Sequence, residues 1–458
     1  MSLPVHDKKI ALSRQEILSN FFTFLSRQGI EYCVVGNSDT VFSDAPGDID
    51  IVVLEEDLSF LEKELHIFAL ENKVKLVQIL QHEQTAWYFA FHWTDAEGRQ
   101  CFLHPDICAD YYRNGKRLLT AEELLTDKKL IRDIFEDNSG NLQGFYVPAP
   151  RKEFIYYLLK KIDKQKLDAN HAAHLMEVFQ QDPEGALSEL IPFFPHESIN
   201  LIRSAAESGH WQPVQEKLVL LRQTLHQTVK QTPTMMLLET MRCIRRFLEP
   251  TGLHVVFLGP DGCGKSSVIE KTLEEIAPAY RRVQYVHLEP WQGCLEPGVE
   301  PPVLTEPHGK SDWNLLLSVM KLCYLVSKYI VGYFSKIYPK LARSTLVTFD
   351  RYYQDVLVDP RRFRYGGPAW LSKVLSWIIP KPALYILLDA SPEVLLARKQ
   401  ELPPEEVARQ RQEYLALFKK LPNAHLVDAS QPLEEIVPQV NQIIMDYMAE
   451  RIGHRYGF

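Results

Sequence analysis

His254-Val255-Val256-Phe257-Leu258, followed by Gly259-Pro260-Asp261-Gly262-Cys263-Gly264-Lys265-Ser266-Ser267 and then by Val268 to Ile276, decides the fold of the C-terminal part of this chain. The first five residues read as a short buried strand. The next nine fit G-x-x-x-x-G-K-[ST], the pattern of loops that cradle phosphates. Val268, Ile269, Leu273 and Ile276 then recur at helical spacing. A strand, a glycine turn and a helix start aim backbone N–H groups and the positive end of the helix dipole at one point, which suits a polyanion. In such a loop Lys265 reaches the β- and γ-phosphates of ATP, and the Ser266 hydroxyl is a ligand for Mg²⁺. Gly259, Asp261, Gly262, Cys263, Gly264 and Ser267 complete the candidate nucleotide cradle.

Outward from this loop, residues 250–458 alternate strand and helix. Strand candidates are His254 to Leu258, Val283 to His287, Leu346 to Phe349, Leu384 to Asp389 and Ala424 to Val427. That alternation predicts an α/β domain with a parallel sheet covered on both faces. Ligands of such sheets bind beyond the carboxyl ends of the strands, where the chemical motifs fall. The second motif is Leu346-Val347-Thr348-Phe349-Asp350-Arg351-Tyr352-Tyr353. An Asp directly after a buried strand can orient magnesium-bound phosphates, and an adjacent Arg can clamp an acceptor phosphate.

Together these motifs resemble thymidylate kinases. The resemblance rests on Gly259 to Ser267 with Asp261 inside the loop, and on Asp350-Arg351-Tyr352-Tyr353. It extends to Leu384-Tyr385-Ile386-Leu387-Leu388-Asp389-Ala390-Ser391-Pro392-Glu393-Val394 with Arg398 after it, and to Val427-Asp428-Ala429-Ser430. It implies a P-loop nucleoside-monophosphate-kinase fold, ATP-Mg²⁺ as phosphoryl donor, and often a homodimer. It further implies that Lys265 and Ser266 serve the donor phosphates, Asp261 faces the acceptor's sugar hydroxyl, and Arg351 holds the acceptor's phosphate. Asp350, Arg351 and Arg398 join Lys265 as candidate catalytic residues. Arg398, Arg409 and Arg411 are candidates for a mobile lid over the transferring group.

Two departures bear on the acceptor. Leu258 stands where thymidylate kinases usually carry an acidic residue, and the segment after Tyr353 lacks their base-contacting run. It reads instead Gln354-Asp355-Val356-Leu357-Val358-Asp359-Pro360-Arg361-Arg362-Phe363-Arg364-Tyr365. Arg361, Arg362 and Arg364 could receive an anionic acceptor or form a solvated charged run. The expected acceptor is a nucleoside monophosphate or a sugar-like or glycan-end group, with thymidine monophosphate a poor one.

The N-terminal residues 1–148 carry a second pattern. Val34-Val35-Gly36-Asn37-Ser38 precedes Gly47-Asp48-Ile49-Asp50-Ile51-Val52-Val53. Two aspartates one residue apart on a strand share a face, and like charges held so close suit a divalent cation. Asp106, in His104-Pro105-Asp106-Ile107, could complete the site. This resembles the nucleotidyltransferase fold, an α+β domain. The resemblance implies that a turn such as Gly36 to Ser38 binds triphosphate while Asp48, Asp50 and Asp106 hold metal. Residues 149–249 read as a helical region, with Phe154, Tyr157, Leu158 and Ile162 at helical spacing; Pro148-Ala149-Pro150 marks its start.

The bulk composition narrows the rest. The 458-residue chain has 46% hydrophobic and 24% charged residues, ordinary for globular protein. Its formal charge of −8 argues against general nucleic-acid binding, which calls for a basic footprint. Seven cysteines without a C-x-x-C pair fit a reducing cytoplasm better than a disulfide framework or zinc. Met1 to Arg14 lacks an apolar signal-peptide core. Leu315 to Tyr338 is apolar but interrupted by Lys321, Lys328 and Lys336 at intervals of seven and eight, so an amphipathic helix is expected, not a transmembrane segment. The combined reading is a cytosolic ATP-dependent phosphotransferase with a possible second, nucleotidyltransferase site. A nucleotide-binding switch without turnover and a true thymidylate kinase are the open alternatives.

Overall fold

The computed structural model describes residues 12–36, 38, 41, 47–113, 115–136, 142–229, 233–290, 294–295, 311–400 and 402–458. Asn37 and most of the stretch Met1 to Arg14, read above for a signal-peptide core, lie outside the described residues. The chain divides into two compact units: residues 1–245 with 451–458, and residues 246–450.

In the first unit, α1 (Arg14–Arg27) starts at a capping box. The Ser13 side chain accepts from the Glu16 N–H at 3.2 Å, and the Glu16 carboxylate accepts from the Ser13 N–H at 2.7 Å. Six strands form a mixed sheet: β1 (Tyr32–Val34), β2 (Ile49–Val53), β3 (Lys75–Glu83), β4 (Ala86–Thr94), β5 (Gln100–Leu103) and β6 (Pro105–Cys108), with α2 (Glu55–Glu71) between β2 and β3. The order is β1-β2-β6-β4-β3, with β5 on β4. Strands β2 and β6 run parallel and place Asp50 opposite Asp106. Ile17, Phe21, Phe22 and Leu25 of α1 and Leu61, Leu65 and Phe68 of α2 bury the apolar residues of one sheet face. Each fully buried aliphatic or aromatic side chain of this kind contributes about 1.5–3 kcal/mol.

Two hairpins follow, β7 (Tyr111–Arg113) with β8 (Lys116–Leu119) and β9 (Lys129–Glu136) with β10 (Leu142–Val147), separated by α3 (Ala121–Leu125). The helical stretch is α4 (Pro150–Lys164), α5 (Ala169–Gln181), α6 (Pro183–Leu190), α7 (His196–Ser208), α8 (Gln212–Glu216), α9 (Leu218–Thr228) and α10 (Pro233–Leu248). Proline at the first turn of α4 costs no hydrogen bond there. Phe154, Leu158 and Ile162 of α4 share one core with Leu175, Leu190, Ile202 and Leu221, and with Cys33 of β1, the adjoining Val35 and Val52 of β2. The helices therefore pack on the N-terminal strands as part of the same unit.

The second unit is built on β11 (Leu253–Leu258), β12 (Arg282–His287), β13 (Cys294–Leu295), β14 (Thr345–Asp350), β15 (Leu384–Asp389) and β16 (Ala424–Asp428). Their order is β13-β12-β14-β11-β15-β16, and all but β13 are mutually parallel. Strands β11 and β14 are buried at every position, as central parallel strands under helices on both faces must be. The helices are α11 (Lys265–Ile276), α12 (Leu315–Gly332), α13 (Tyr338–Leu341), α14 (Gln354–Val358), α15 (Ala369–Leu375), α16 (Pro392–Arg398), α17 (Pro404–Phe418) and α18 (Leu433–Tyr456). From β11 the chain crosses past β14 to β12, returns to β14, and later crosses to β15. The strand order thus reverses between β11 and β14, and a crevice opens at their carboxyl ends.

The helix expected over Leu315 to Tyr338 is present as α12, a π turn at Tyr333–Ile337 and α13. Leu322, Val326 and Tyr329 join the core, whereas Leu316, Met320 and Tyr324 are exposed. By length and composition alone the run Leu315–Leu341 could cross a membrane.

Candidate active site

Three backbone devices put the donor-side groups at that crevice. Gly259 has φ +144° and Gly262 φ +84°, a region that only glycine enters freely. A Cβ on Gly259 would lie 2.5 Å from the Leu388 carbonyl, and one on Gly262 2.9 Å from the Leu395 carbonyl. The loop is therefore wrapped tightly against β15 and α16, and Gly259→Ala would break it. Gly264, with φ +87°, caps α11 without a side chain, so the helix's N-terminal N–H groups are not covered by a capping oxygen.

Lys265 is buried, and its Nζ donates to the carbonyls of Gly259 at 2.8 Å and Pro260 at 2.9 Å, with Cys263 Sγ at 3.6 Å. Its ammonium is held at the loop's centre. Burial pushes the Cys263 thiol above its usual pKa, with the Lys265 cation opposing, so this cysteine stays protonated and unreactive. Parallel pairing places Asp350, the last residue of β14, level with Phe257 on β11. Asp350 Oδ2 accepts from Ser266 Oγ at 2.8 Å and from the Tyr285 hydroxyl at 2.9 Å. Asp350 Oδ1 is buried without a hydrogen-bond partner among the described residues. The Ser266 hydroxyl and the buried Asp350 carboxylate, one oxygen of which is orphaned, make an oxygen-rich pair that fits Mg²⁺ and its water shell. Burial raises the Tyr285 pKa, and the Asp350 charge adds to it, so this hydroxyl stays a donor. His287 Nδ1 lies 4.0 Å from Asp350 Oδ2. Burial lowers the His287 pKa; Asp350 and Asp355 oppose that, and Lys265 and Arg362 reinforce it.

On the other side of the crevice, Arg351 adopts φ +73°, uncommon for a side chain of this size, and its N–H donates to the Phe257 carbonyl at 3.0 Å. This conformation turns the side chain toward the loop, where its Nη2 meets Asp261 and its Nη1 meets Asp355 at 2.8 Å. Asp355 also accepts from the Tyr414 hydroxyl at 3.0 Å. Arg362 reaches Asp261 as well and is tied to Asp359.

The structure therefore brings Asp261, Lys265, Ser266, Asp350 and Arg351 to one crevice. It distributes the three lid candidates differently. Arg398 donates to the Ala429 carbonyl at 2.7 Å, Arg409 to Glu406 and the Val358 carbonyl, and Arg411 to both oxygens of Asp389 at 2.7 and 2.8 Å. Asp355 lies in the divergent segment after Tyr353, where an altered acceptor pocket is expected; Tyr285 and Tyr414 are not among the expected site residues. Position at the carboxyl end of a parallel strand could have flagged Tyr285; nothing local marks Tyr414.

Two of the three carboxylates expected to hold metal in the N-terminal unit have protein partners in the structure. Asp50 and Asp106 do lie side by side, but Asp50 forms an ion pair with Lys160 of α4, and Asp106 meets His82 Nε2 at 2.6 Å. Asp48 is exposed at the start of β2. Among the described residues no group of three or more His, Cys, Asp or Glu is placed to hold a metal ion. Burial works against the Lys160 charge, and the Asp50 carboxylate more than offsets it, so Lys160 stays charged beside it. Gly36, with φ +92°, donates its N–H to Glu153 at 3.1 Å, and Ser38 is half-buried. Glu153 also meets His174 Nε2 at 3.1 Å, so the turn's donor is engaged within the protein.

Residues 257–440 match the family model described as thymidylate kinase. The chain is 29% identical over 205 residues to a thymidylate kinase of Lactobacillus helveticus, covering 41% of this chain and 93% of that protein. It is 28% identical over 205 residues to one of Lactobacillus acidophilus (41% and 92%) and 28% identical over 218 residues to one of Alteromonas mediterranea (44% and 93%). The C-terminal region is thus a thymidylate kinase-like α/β P-loop domain, an ATP-dependent kinase domain with ATP and Mg²⁺ as its donor pair.

Proposed function

We propose that the C-terminal domain transfers the γ-phosphoryl group of ATP to the phosphate of a nucleoside monophosphate. The observation that carries this reading is the pairing, across one crevice, of a donor set with an acceptor set. The donor set is Lys265 with the Ser266–Asp350–Tyr285 cluster; the acceptor set is Asp261 with Arg351. Loop N–H groups and Lys265 bind the donor phosphates and stabilise charge developing on the β–γ bridge. Bound Mg²⁺ supplies charge neutralisation at the same phosphates. Arg351, fixed by Asp355 and Tyr414, orients the acceptor phosphate in line with the γ-phosphorus. One acceptor oxygen bonds to that phosphorus, the bond to the β-phosphate oxygen breaks, and ADP leaves. Little proton transfer is required, since a phosphomonoester is largely dianionic at neutral pH.

A nucleotidyl transfer in the N-terminal unit is not part of this reading; there Asp50 pairs with Lys160 and Asp106 with His82. A homodimer is compatible with it: the exposed apolar residues Leu316, Met320 and Tyr324 of α12 offer a face for a second copy. Steady-state ADP formation from ATP-Mg²⁺ with a panel of nucleoside monophosphates tests the proposal. Nucleotide binding without acceptor-dependent ADP formation would instead indicate a switch.

A further inference from the structure

We infer that Arg362 is a second ligand for the acceptor's phosphate, beside Arg351, and that the Asp261 carboxylate holds that phosphate's place until the acceptor arrives. This rests on the kinase reading above and specifies its acceptor as a phosphomonoester dianion recognised through its phosphate.

Each oxygen of Asp261 receives one guanidinium: Oδ1 that of Arg351, Oδ2 that of Arg362. The side chains of Asp261, Arg351 and Arg362 are only 14%, 9% and 11% exposed. Two largely buried guanidiniums converging on one carboxylate form the geometry that a tetrahedral oxyanion fills better, because it brings a further oxygen and a second negative charge.

Each arginine also has a carboxylate of its own. Arg351 keeps Asp355 at 2.8 Å, which Tyr414 orients. Arg362 keeps Asp359, which accepts its backbone N–H at 3.2 Å and lies 3.4 Å from its Nε. Asp261 can therefore depart without releasing either guanidinium from its mount. It is then free to accept a hydrogen bond from a hydroxyl of the acceptor.

The neighbouring arginines do not share this role. Arg361 is exposed, while Arg364 stacks on the Trp313 ring at 4.1 Å and donates to the Ser311 carbonyl at 2.8 Å. A turn over Pro360 to Tyr365, in which the Phe363 and Tyr365 N–H groups donate to the Pro360 carbonyl, turns consecutive arginines to different surroundings. Of the three, only Arg362 meets the phosphate loop.

Calorimetric titration of inorganic phosphate into the full-length protein tests this, with the donor site filled by β,γ-methylene-ATP and Mg²⁺. Inorganic phosphate has no base and no sugar hydroxyl, so it reports the arginine pair alone. Arg362→Gln should weaken phosphate binding at least about tenfold, the loss expected for a charge-assisted hydrogen-bonding partner. Arg362→Lys should recover part of that loss, and Arg361→Gln should match wild type. Asp261→Asn should tighten phosphate binding, because the carboxylate that competes for both guanidiniums has lost its charge. A merely structural ion pair would give the opposite sign for Asp261→Asn. Unchanged affinity in Arg362→Gln, weaker binding in Asp261→Asn, or failure of wild type and Asp261→Asn alike to bind phosphate overturns the inference. The titration needs no turnover. Failure of the kinase reading would show separately, as absence of acceptor-dependent ADP formation in wild type.

Discussion

Replacing Lys265 by alanine removes the one lysine cation at the centre of the phosphate loop, and the structure fixes what that costs. In the free protein its ammonium bridges the Gly259 and Pro260 carbonyls, from which it can turn to the donor's phosphates. Two hydrogen bonds, each worth about 1 kcal/mol net, are lost from the fold. Against a domain stability of about 5–15 kcal/mol the loop and sheet should survive. Catalysis loses more. A preorganised donor aimed at developing charge in a water-poor site contributes about 3–4 kcal/mol, or roughly two to three powers of ten in rate. The assay is ADP release at saturating ATP-Mg²⁺ and nucleoside monophosphate, with thermal melting of both proteins alongside. A fall in kcat of about a hundredfold or more, with a melting temperature within a few degrees of wild type, is expected. A kcat within about threefold of wild type would refute the placement of Lys265 on the transferring group.

Three further outcomes are expected. Asp350→Asn keeps an oxygen for the Ser266 and Tyr285 hydroxyls but loses the charge, so the Mg²⁺ concentration for half-maximal activity should rise at least about tenfold; an unchanged Mg²⁺ titration would contradict the assigned metal role. His254, buried on β11 with neither ring nitrogen hydrogen-bonded among the described residues, has its pKa pushed down to about 3 by burial. The unfolded chain takes up this proton below a pKa of about 6.5 while the folded one does not, so stability is full above that pH and falls as pH drops toward 3. Between pH 7.5 and 5.0 urea denaturation should cost wild type about 2 kcal/mol more than His254→Phe, and parallel pH profiles would exclude this. Thymidine monophosphate should show a kcat/KM below about 10⁴ M⁻¹s⁻¹, since the segment after Tyr353 lacks base-reading groups; a higher value in steady-state assay would mean the base is read elsewhere.

The parts of the site legible in the sequence are those whose chemistry is local. Lys265 and Ser266 follow a strand and a glycine turn, and Asp350 ends an apolar run. Their approach across the crevice follows from the parallel register of β11 and β14. Most strands of the second unit were visible for the same reason, as apolar runs bounded by polar turns. Strands β3 and β6 were not. Lys75, Gln78, Gln81, His82 and Glu83 interrupt the apolar pattern of β3, and β6 opens on Pro105, which reads as a strand breaker although a first position tolerates it.

Long-range electrostatics was also hidden. Lys160 looks like one more lysine at the end of a helix, yet it reaches Asp50, 110 positions earlier. Arg362 was one of three arginines in a short charged run. Only the turn at Pro360 shows which of them faces the phosphate loop.

The most direct test of the account is the product formed when the full-length protein is incubated with γ-labelled ATP, Mg²⁺ and a panel of nucleoside monophosphates. Label should appear in a nucleoside diphosphate, in step with ADP, and should be lost in Lys265→Ala. Label that remains in ATP with every monophosphate, although ATP-Mg²⁺ binds, would contradict it.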